Sequence, residues 1–147
     1  MRRLLGVSIV LLTMLGFAFV PASAQEVGGG SSGQQDFELK PNYPNPFNPE
    51  TNIPFVLSER LFEDGRPVVV SIRIYNLLKQ PVASPVAKDH PSGDGLPLVN
   101  LEYTRPGEYE AFWDGRDASG RPVASGPYWC QITVNGRSDI IRMFVTK

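Results

Sequence analysis

The stretch YWCQITVNGRSDIIRMFVT, residues 128–146, predicts a β-hairpin and with it the fold class. Apolar and polar residues alternate on both sides of Asn135-Gly136, a dipeptide that suits a two-residue type I′ turn. Such a turn fixes the register of the two strands. The expected opposite pairs are Tyr128 with Met143, Cys130 with Ile141, Ile132 with Asp139, and Trp129 with Arg142. We expect the last pair, on the outer face, to form a cation–π contact.

Short segments with the same alternation recur along the chain, separated by Gly, Pro, Asn and Asp. Strands are predicted at 52–58, 68–76, 82–86, 98–103, 108–113, 128–134 and 138–146. The expected inward-facing residues outside the hairpin are Ile53, Phe55, Leu57, Val68, Val70, Ile72, Ile74, Val99, Leu101, Tyr103, Tyr109, Ala111 and Trp113. About seven such strands predict an all-β, antiparallel sandwich of the immunoglobulin or fibronectin III type, with a closed barrel as the alternative.

The amino-terminal region indicates export. Two arginines precede an apolar run, residues 4–20, which is followed by an Ala-x-Ala sequence. This pattern predicts a cleavable signal peptide at 1–24 and is short for a membrane-spanning helix. A flexible Gly/Ser linker follows at 25–36. The domain is then expected at 37–147, opening with a lead-in rich in Pro and Asn at 37–51.

Composition excludes several classes of function. The 147 residues carry a net charge of −1, and loss of the leader would make the charge slightly more negative. No basic patch suggests a nucleic-acid partner, and no segment after the leader suggests a transmembrane protein. Cys130 is the single cysteine, so no internal disulfide is expected. The oligomeric state is left open.

Catalytic chemistry has little support in the sequence, and we expect a protein that is not an enzyme. His90 is the single histidine and lies in a polar loop, where a surface position is expected. Cys130 falls on an inner strand face, where a thiol behaves as a small hydrophobe. Nucleophile elbows, phosphate-binding loops and zinc-ligand spacings are absent from the sequence, so no cofactor is expected.

Two binding hypotheses remain open beside this interpretation. Asp114 and Asp117 lie in a glycine-rich stretch, where they suit either turn capping through backbone N–H groups or a calcium loop. Trp113, Trp129 and the tyrosines suit either the core or a sugar-binding platform. Turn capping and core packing are the commoner roles of these residue types.

Several separated motifs match one family when they are taken together. These are NYPNPFNP at 42–49, a strand ending in Tyr-Asn, the WDG turn, a Gly-x-Tyr strand start and a closing Arg-Met. The chain resembles the C-terminal sorting domains of the type IX secretion system, in the subgroup similar to the Ig-like domain of the flagellar hook-capping protein. The residues that carry the resemblance are Asn42, Tyr43, Pro44, Asn45, Pro46, Phe47, Asn48, Pro49, Tyr75, Asn76, Trp113, Asp114, Gly115, Gly120, Gly126, Tyr128, Arg142, Met143 and Lys147.

The resemblance implies an exported Ig-like domain that is recognised by secretion machinery. Such a protein passes through the periplasm to the cell surface or medium, and its partners are the outer-membrane translocon and a processing peptidase of the gingipain type. The alternative is a small envelope or surface domain, structural or adhesive, that binds a protein or glycan partner.

Three local expectations accompany the resemblance. The turn after Tyr75-Asn76, where such tails usually carry a glycine, has none at 77–80. The long connection at 87–105 is expected to form an extra hairpin. The proline-rich lead-in is stiff and partly unable to donate backbone hydrogen bonds, so we expect it to cover one end or edge of the sandwich.

Overall fold

The computed structural model describes residues 35–147, so the predicted leader and nearly all of the linker lie outside the described residues. Within the described range the helical structure is one 3-10 turn, Glu59–Phe62, and no helix is long and apolar enough to cross a membrane. The nine strands are β1 (Phe37–Leu39), β2 (Thr51–Leu57), β3 (Val68–Tyr75), β4 (Pro81–Ala83), β5 (Val86–Lys88), β6 (Leu101–Tyr103), β7 (Gly107–Trp113), β8 (Gly126–Val134) and β9 (Arg137–Val145).

The strands form two antiparallel sheets that pack face to face. Sheet I has the order β1-β2-β7-β5. Sheet II has the order β4-β3-β8-β9, and β6 adds to β3 at the end away from β4. The predicted sandwich is therefore confirmed, with two more strands than expected.

The hairpin of β8 and β9 has the predicted register. Tyr128 lies opposite Met143, Cys130 opposite Ile141, Ile132 opposite Asp139, and Trp129 opposite Arg142. Asn135 and Gly136 have φ values of +46° and +83°, as a type I′ turn requires. The cation–π prediction was wrong in its partner, because the Arg142 guanidinium lies over the ring of Phe144, 5.1 Å from its centroid. These two side chains are two positions apart on one strand and project from the same face.

The alternation predicted for the longer strands matches the core. The predicted inner residues of β2, β3 and β8 are buried, as are Ala111 and Trp113 of β7. Because the two inner faces are almost wholly aliphatic and aromatic, removal of this surface from water supplies the main stabilisation of the sandwich.

Two predicted strands were wrong. The segment 82–86 is divided between sheets, since Ala83 ends β4 in sheet II and Val86 begins β5 in sheet I. Pro85 lies at the crossing point, where a residue without a backbone N–H interrupts a ladder.

The segment 98–103 is a strand only from Leu101. Leu98 is fully buried and Val99 is 44% exposed, the reverse of the predicted faces. Asn100 has a φ of +51° and reverses the alternation before β6 begins. The expected extra hairpin does form, since Ala87 N–H donates to the Leu96 carbonyl at 2.7 Å.

His90 is buried, which contradicts the predicted surface position. Its Nδ1 accepts the Ser92 N–H at 3.1 Å, so Nε2 carries the proton and donates to the Glu102 carbonyl at 2.9 Å. The ring packs edge-on against Tyr103 at 4.7 Å. A neutral histidine can satisfy both nitrogens in this way, and the residue joins the loop at 89–93 to β6.

Candidate functional site

The motifs that carry the family resemblance meet at one end of the sandwich, which we call the motif end. It comprises residues 42–49, 75–76, 113–128 and 142–147. Antiparallel pairing explains the convergence: Thr51 lies opposite Trp113 in sheet I, and Gly126 lies opposite Val145 in sheet II. Segments far apart in sequence therefore reach the same end of the fold.

The proline-rich segment crosses the motif end from one sheet to the other. Tyr43 pairs with Asn52 of β2 through two backbone hydrogen bonds of 2.9 Å. Four residues later, Phe47 pairs in parallel with β9: its N–H donates to the Phe144 carbonyl, and its carbonyl accepts the Thr146 N–H, both at 2.9 Å. The lead-in thus covers both an end and an edge of the sandwich, as predicted.

Phe47 anchors the segment in the core. It is 1% exposed and packs edge-to-face on Trp113 at 5.4 Å, and Trp113 in turn packs on Tyr128 at 5.8 Å. The Trp113 indole N–H donates to the Arg116 carbonyl, and the Tyr128 hydroxyl donates to the Ala124 carbonyl, each at 2.9 Å. Three separate motifs therefore contribute one aromatic row, and each polar group in it is satisfied.

The WDG turn lies directly against the proline-rich segment. Gly115 is buried and has a φ of +73°. A Cβ at this position would lie 2.4 Å from the carbonyl oxygen of Pro49, which is closer than any real side chain comes. The glycine is thus required twice, for its backbone conformation and for the close approach.

Asn42 and Thr51 form a buried polar link under this segment. Asn42 Nδ2 donates to Thr51 Oγ1 at 2.9 Å and to the Pro44 carbonyl at 3.1 Å. The Thr51 hydroxyl also donates to the Pro44 carbonyl, at 3.0 Å. This link holds the segment where its prolines cannot donate to a ladder.

The aspartates after Trp113 cap their own turns. Asp114 Oδ1 accepts the Arg116 N–H at 3.0 Å, while Asp117 Oδ1 accepts the N–H groups of Ser119 and Arg121 at 2.9 and 3.0 Å. The Arg121 N–H is the main cause of a lowered pKa at Asp117. These hydrogen bonds are the ones that the capping alternative requires. Among residues 35–147 no group of His, Cys, Asp and Glu has a metal-binding arrangement.

Asn76 organises the turn that follows β3. Its Oδ1 accepts the N–H groups of Leu78 and Gln80, each at 3.0 Å. Lys79 has a φ of +57° and occupies the position at which a glycine would be unstrained. The turn borders an open groove of about 760 Å³ that also includes Asp117 and Tyr128.

By burial, the motif residues form an inner group, whose members are buried or half-buried, and an exposed group. The buried ones are Asn42, Phe47, Trp113, Gly115, Tyr128 and Met143, and Tyr75, Asn76 and Gly126 are half-buried. The exposed ones are Tyr43, Pro44, Asn45, Pro46, Asn48, Pro49, Asp114, Gly120, Arg142 and Lys147. The first group holds the fold together, and only the second presents a surface that a partner could contact.

Tyr43 faces outward, away from the core, and joins a small polar cluster on sheet I. Its hydroxyl and the Lys88 ammonium both donate to the Glu110 carboxylate. These bonds raise the pKa of Tyr43 and of Lys88. Burial alone would raise the pKa of Glu110, but the two hydrogen bonds outweigh it and the pKa is lowered. At neutral pH the cluster therefore pairs an anion with a cation and a neutral phenol.

The side of the sandwich between β1 and β9 is closed by polar contacts. Asp139 lies at an inward-facing position of the edge strand: its Oδ2 accepts the Leu39 N–H at 3.2 Å and its Oδ1 accepts the Ile140 N–H at 2.8 Å. Arg137 pairs with Asp36, and Asn45 Oδ1 accepts the Phe144 N–H at 3.0 Å. β9, the longest edge strand, therefore makes polar contacts with other segments near both of its ends.

The two tryptophans do not share one surface, as the alternative of a sugar-binding platform built on both would require. Trp113 is buried in the core and Trp129 is half-buried on the outer face of sheet II, so the two indoles lie on opposite sides of that sheet. Cys130 is fully buried as predicted, and burial raises the pKa of its thiol.

Sequence patterns missed three residues with structural roles: Thr51 and Glu110, which contact the proline-rich segment, and Asp139, which closes the side between β1 and β9 near the hairpin turn. Asp139 had a usable signal, since a charged residue at an inward-facing position of an edge strand commonly blocks strand addition. Thr51 and Glu110 had none, because each meets partners more than six residues away that the alternation does not reveal.

No protein-family model and no curated protein matches the sequence. Solved structures that are similar to it include those of three proteins. PorZ of Porphyromonas gingivalis, an essential bacterial surface component of the type IX secretion system, is 23% identical, with a TM-score of 0.45 over 82% of this chain and 13% of PorZ. Dimeric latent PorU from Porphyromonas gingivalis is 19% identical, with a TM-score of 0.47 over 74% of this chain and 9% of PorU. The Pseudomonas fluorescens alkylpurine DNA glycosylase AlkC is 16% identical, with a TM-score of 0.46 over 76% of this chain and 31% of AlkC. The chain spans less than a third of each of these proteins.

Proposed function

We propose that residues 37–147 are a non-enzymatic, exported sorting domain of the type IX kind, in the subgroup similar to the hook-capping Ig-like domain. Secretion machinery in the outer membrane recognises the folded domain, which carries no cofactor. The signal peptide at 1–24 delivers the chain to the periplasm, and the machinery then moves it to the surface.

The convergence of the motifs at one end carries this proposal. Antiparallel pairing alone would bring these strand ends to one end, so the supporting observation is that the motifs also contact one another directly. Here the proline-rich segment, the WDG turn and the Gly-x-Tyr strand start share one aromatic row, and Gly115 touches Pro49. The buried members form a rigid base, and the exposed Pro and Asn side chains of 44–49 stand on it as a shaped surface.

A fusion experiment tests the proposal. Residues 25–147 are placed after a signal peptide and a reporter protein, and the fusion is produced in a host with a working type IX system. We expect the reporter on the surface or in the medium, and expect it to stay in the periplasm of a matched strain that lacks the translocon. A reporter that remains periplasmic in the competent host would sink the proposal.

Matched double variants locate the recognised surface. Pro46→Ala with Asn48→Ala removes exposed side chains of the motif end, whereas Glu102→Ala with Thr104→Ala removes exposed side chains at the other end of the fold. Circular dichroism of each purified variant checks that the sandwich is intact. We expect only the first pair to reduce export of the reporter.

The alternative function, a surface domain that binds partners by strand addition, has less support. Strands β4 and β5, at the other edges of the two sheets, have three residues each. The nine-residue edge strand β9 is occupied at both ends by Phe47 and Asp139. Strand addition needs a longer run of free N–H and C=O groups.

A further inference from the structure

The outer face of sheet II carries an unusual share of the exposed apolar surface. Among residues 35–147, six large hydrophobic side chains are exposed, and four of them lie on this face or in the turn beside it. They are Leu77 (61%), Leu78 (79%), Ile140 (51%) and Phe144 (37%). Single exposed apolar residues are ordinary on a protein surface, but a group of four on one face indicates a contact surface.

Two aromatic residues lie at the centre of this face. Tyr75 of β3 lies opposite Trp129 of β8, and both side chains are half-buried. Together with Lys79, Gln131 and Ile140 they line a shallow depression of about 400 Å³. Tyrosine and tryptophan combine an apolar ring with a polar group, which suits them to a boundary between water and an apolar phase.

The charges around Trp129 on this face are basic, whereas the acidic Glu102, opposite Val69, lies at the far end of the same face. Arg73, Lys79 and Arg142 project from it, and none of them forms an ion pair with a carboxylate within 35–147. The outward positions of β8 and β9 hold no acidic residue. On the outer face of sheet I the lysines are instead paired: Lys40 with Glu108, and Lys88 with Glu110. The part of this face around Trp129 is therefore apolar and carries basic side chains without acidic partners.

The turn at 77–78 follows β3 beside this face and is held in a fixed conformation. Leu77 and Leu78 form its tip, and Asn76 holds the turn through its bonds to the N–H groups of Leu78 and Gln80. Two exposed leucines at the tip of a turn form a convex surface, which offers no pocket for a side chain of a protein partner. Such a surface can instead enter the fluid apolar layer of a membrane. Basic residues beside such a tip are placed to meet negatively charged headgroups.

We propose that the outer face of sheet II docks on an anionic lipid surface, with Leu77 and Leu78 entering the headgroup boundary, Trp129 and Tyr75 lying at that boundary, and Arg73, Lys79 and Arg142 contacting lipid phosphates. The proposal does not depend on recognition by secretion machinery, so it would hold for a surface domain of another kind.

Vesicle binding tests this docking. The full chain is expressed, its exported form is purified, and it is mixed at low ionic strength with vesicles of phosphatidylcholine, with or without phosphatidylglycerol. We expect co-sedimentation and a blue shift of tryptophan emission only with the anionic vesicles. Trp113 is 3% exposed in the core, so the shift reports Trp129. Brominated lipids should quench that emission.

Matched variants separate insertion from charge. Leu77→Ser with Leu78→Ser should weaken binding about tenfold or more. Arg73→Gln with Arg142→Gln should weaken binding by about fivefold for each charge removed. Arg66→Gln with Arg105→Gln changes the net charge equally and should have a much smaller effect.

Three results would overturn the docking. One is wild-type protein that does not bind anionic vesicles at low ionic strength. Another is that Arg66→Gln with Arg105→Gln weakens vesicle binding as much as Arg73→Gln with Arg142→Gln does, which would indicate that attraction depends on net charge and not on this face. The third is self-association in sedimentation equilibrium that Leu77→Ser with Leu78→Ser abolishes while vesicle binding is unchanged, which would assign the face to a second copy of this chain.

Discussion

Substitution of Gly115 by alanine would test whether the motif end is a packed unit. Two costs follow from the geometry. A non-glycine residue at a φ of +73° costs about 1–2 kcal/mol. The new Cβ would lie 2.4 Å from the Pro49 carbonyl oxygen, so the turn and the proline-rich segment must separate before ordinary contact is restored. Overpacking of this kind typically costs about 1–3 kcal/mol.

A smaller effect opposes these costs, because alanine lowers the entropy of the unfolded chain and so stabilises by about 0.4–1 kcal/mol. We therefore expect Gly115→Ala to lower the free energy of unfolding by about 2–4 kcal/mol. For a domain of this size the loss corresponds to a fall in Tm of roughly 10–25 °C. Urea unfolding of the exported form, followed by tryptophan fluorescence and circular dichroism, measures the change.

Gly120→Ala is the matched control. Gly120 also has a positive φ, +80°, but a Cβ there would meet nothing within 4 Å. Only the backbone cost applies, reduced by the same entropy effect, so we expect a loss of about 0.5–1.5 kcal/mol. If the two variants lost equal stability, the contact between Gly115 and Pro49 would contribute nothing, and the packing of the WDG turn on the proline-rich segment would be refuted.

Four further predictions concern single residues. Phe47→Ala should cost about 3–5 kcal/mol in urea unfolding and Asn48→Ala no more than about 0.5, because the first side chain is buried and the second exposed; equal losses would contradict the anchoring role of the phenyl ring. Cys130 should resist alkylation at about pH 8 in the folded protein and react fully in urea, since it is buried and its thiol pKa is raised; rapid modification of the folded protein would count against this packing. The pKa of Asp117 is lowered from its ordinary value of 3.8, so its stabilisation is present above that value and is lost as the pH falls through the folded-state pKa. Asp117→Asn should therefore make the free energy of unfolding depend less on pH below that value. An unchanged pH dependence would show that this carboxylate does not stabilise the fold. Lys79→Gly should raise stability by about 0.5–1 kcal/mol because the backbone there has a φ of +57°; a loss of stability would show that the lysine side chain compensates for the strain.

The long strands could be predicted from the sequence because alternation is a local signal. Each residue of β3 or β8 reports its own face, and Asn135-Gly136 fixes how β8 and β9 align. The short strands could not be predicted in this way. Three residues are too few to show a period, and Pro85 and Asn100 shift the face of the residues that follow them.

The motif end was only partly predictable. The motifs themselves were visible, and the stiffness of the proline-rich segment indicated that it covers an end or an edge. Its pairing with two different sheets was not visible, because Phe47 and Thr146 are 99 positions apart. The face of sheet II was missed for a similar reason: Arg73, Lys79 and Arg142 are scattered in sequence and become neighbours only through strand pairing.

The closure of the sandwich along β1 and β9 has a consequence for synthesis of the domain. The contacts that close this side join residues about 100 positions apart, namely Leu39 with Asp139, Asp36 with Arg137 and Asn45 with Phe144. A ribosome delivers the chain from its amino end, so residues 36–47 emerge long before their partners exist. Until then Phe37 and Phe47 have no β9 to pack against, and the proline-rich segment has no strand to cross to. The motif end can therefore take its final shape only after the chain is complete through Thr146, because the Phe47 carbonyl accepts the Thr146 N–H.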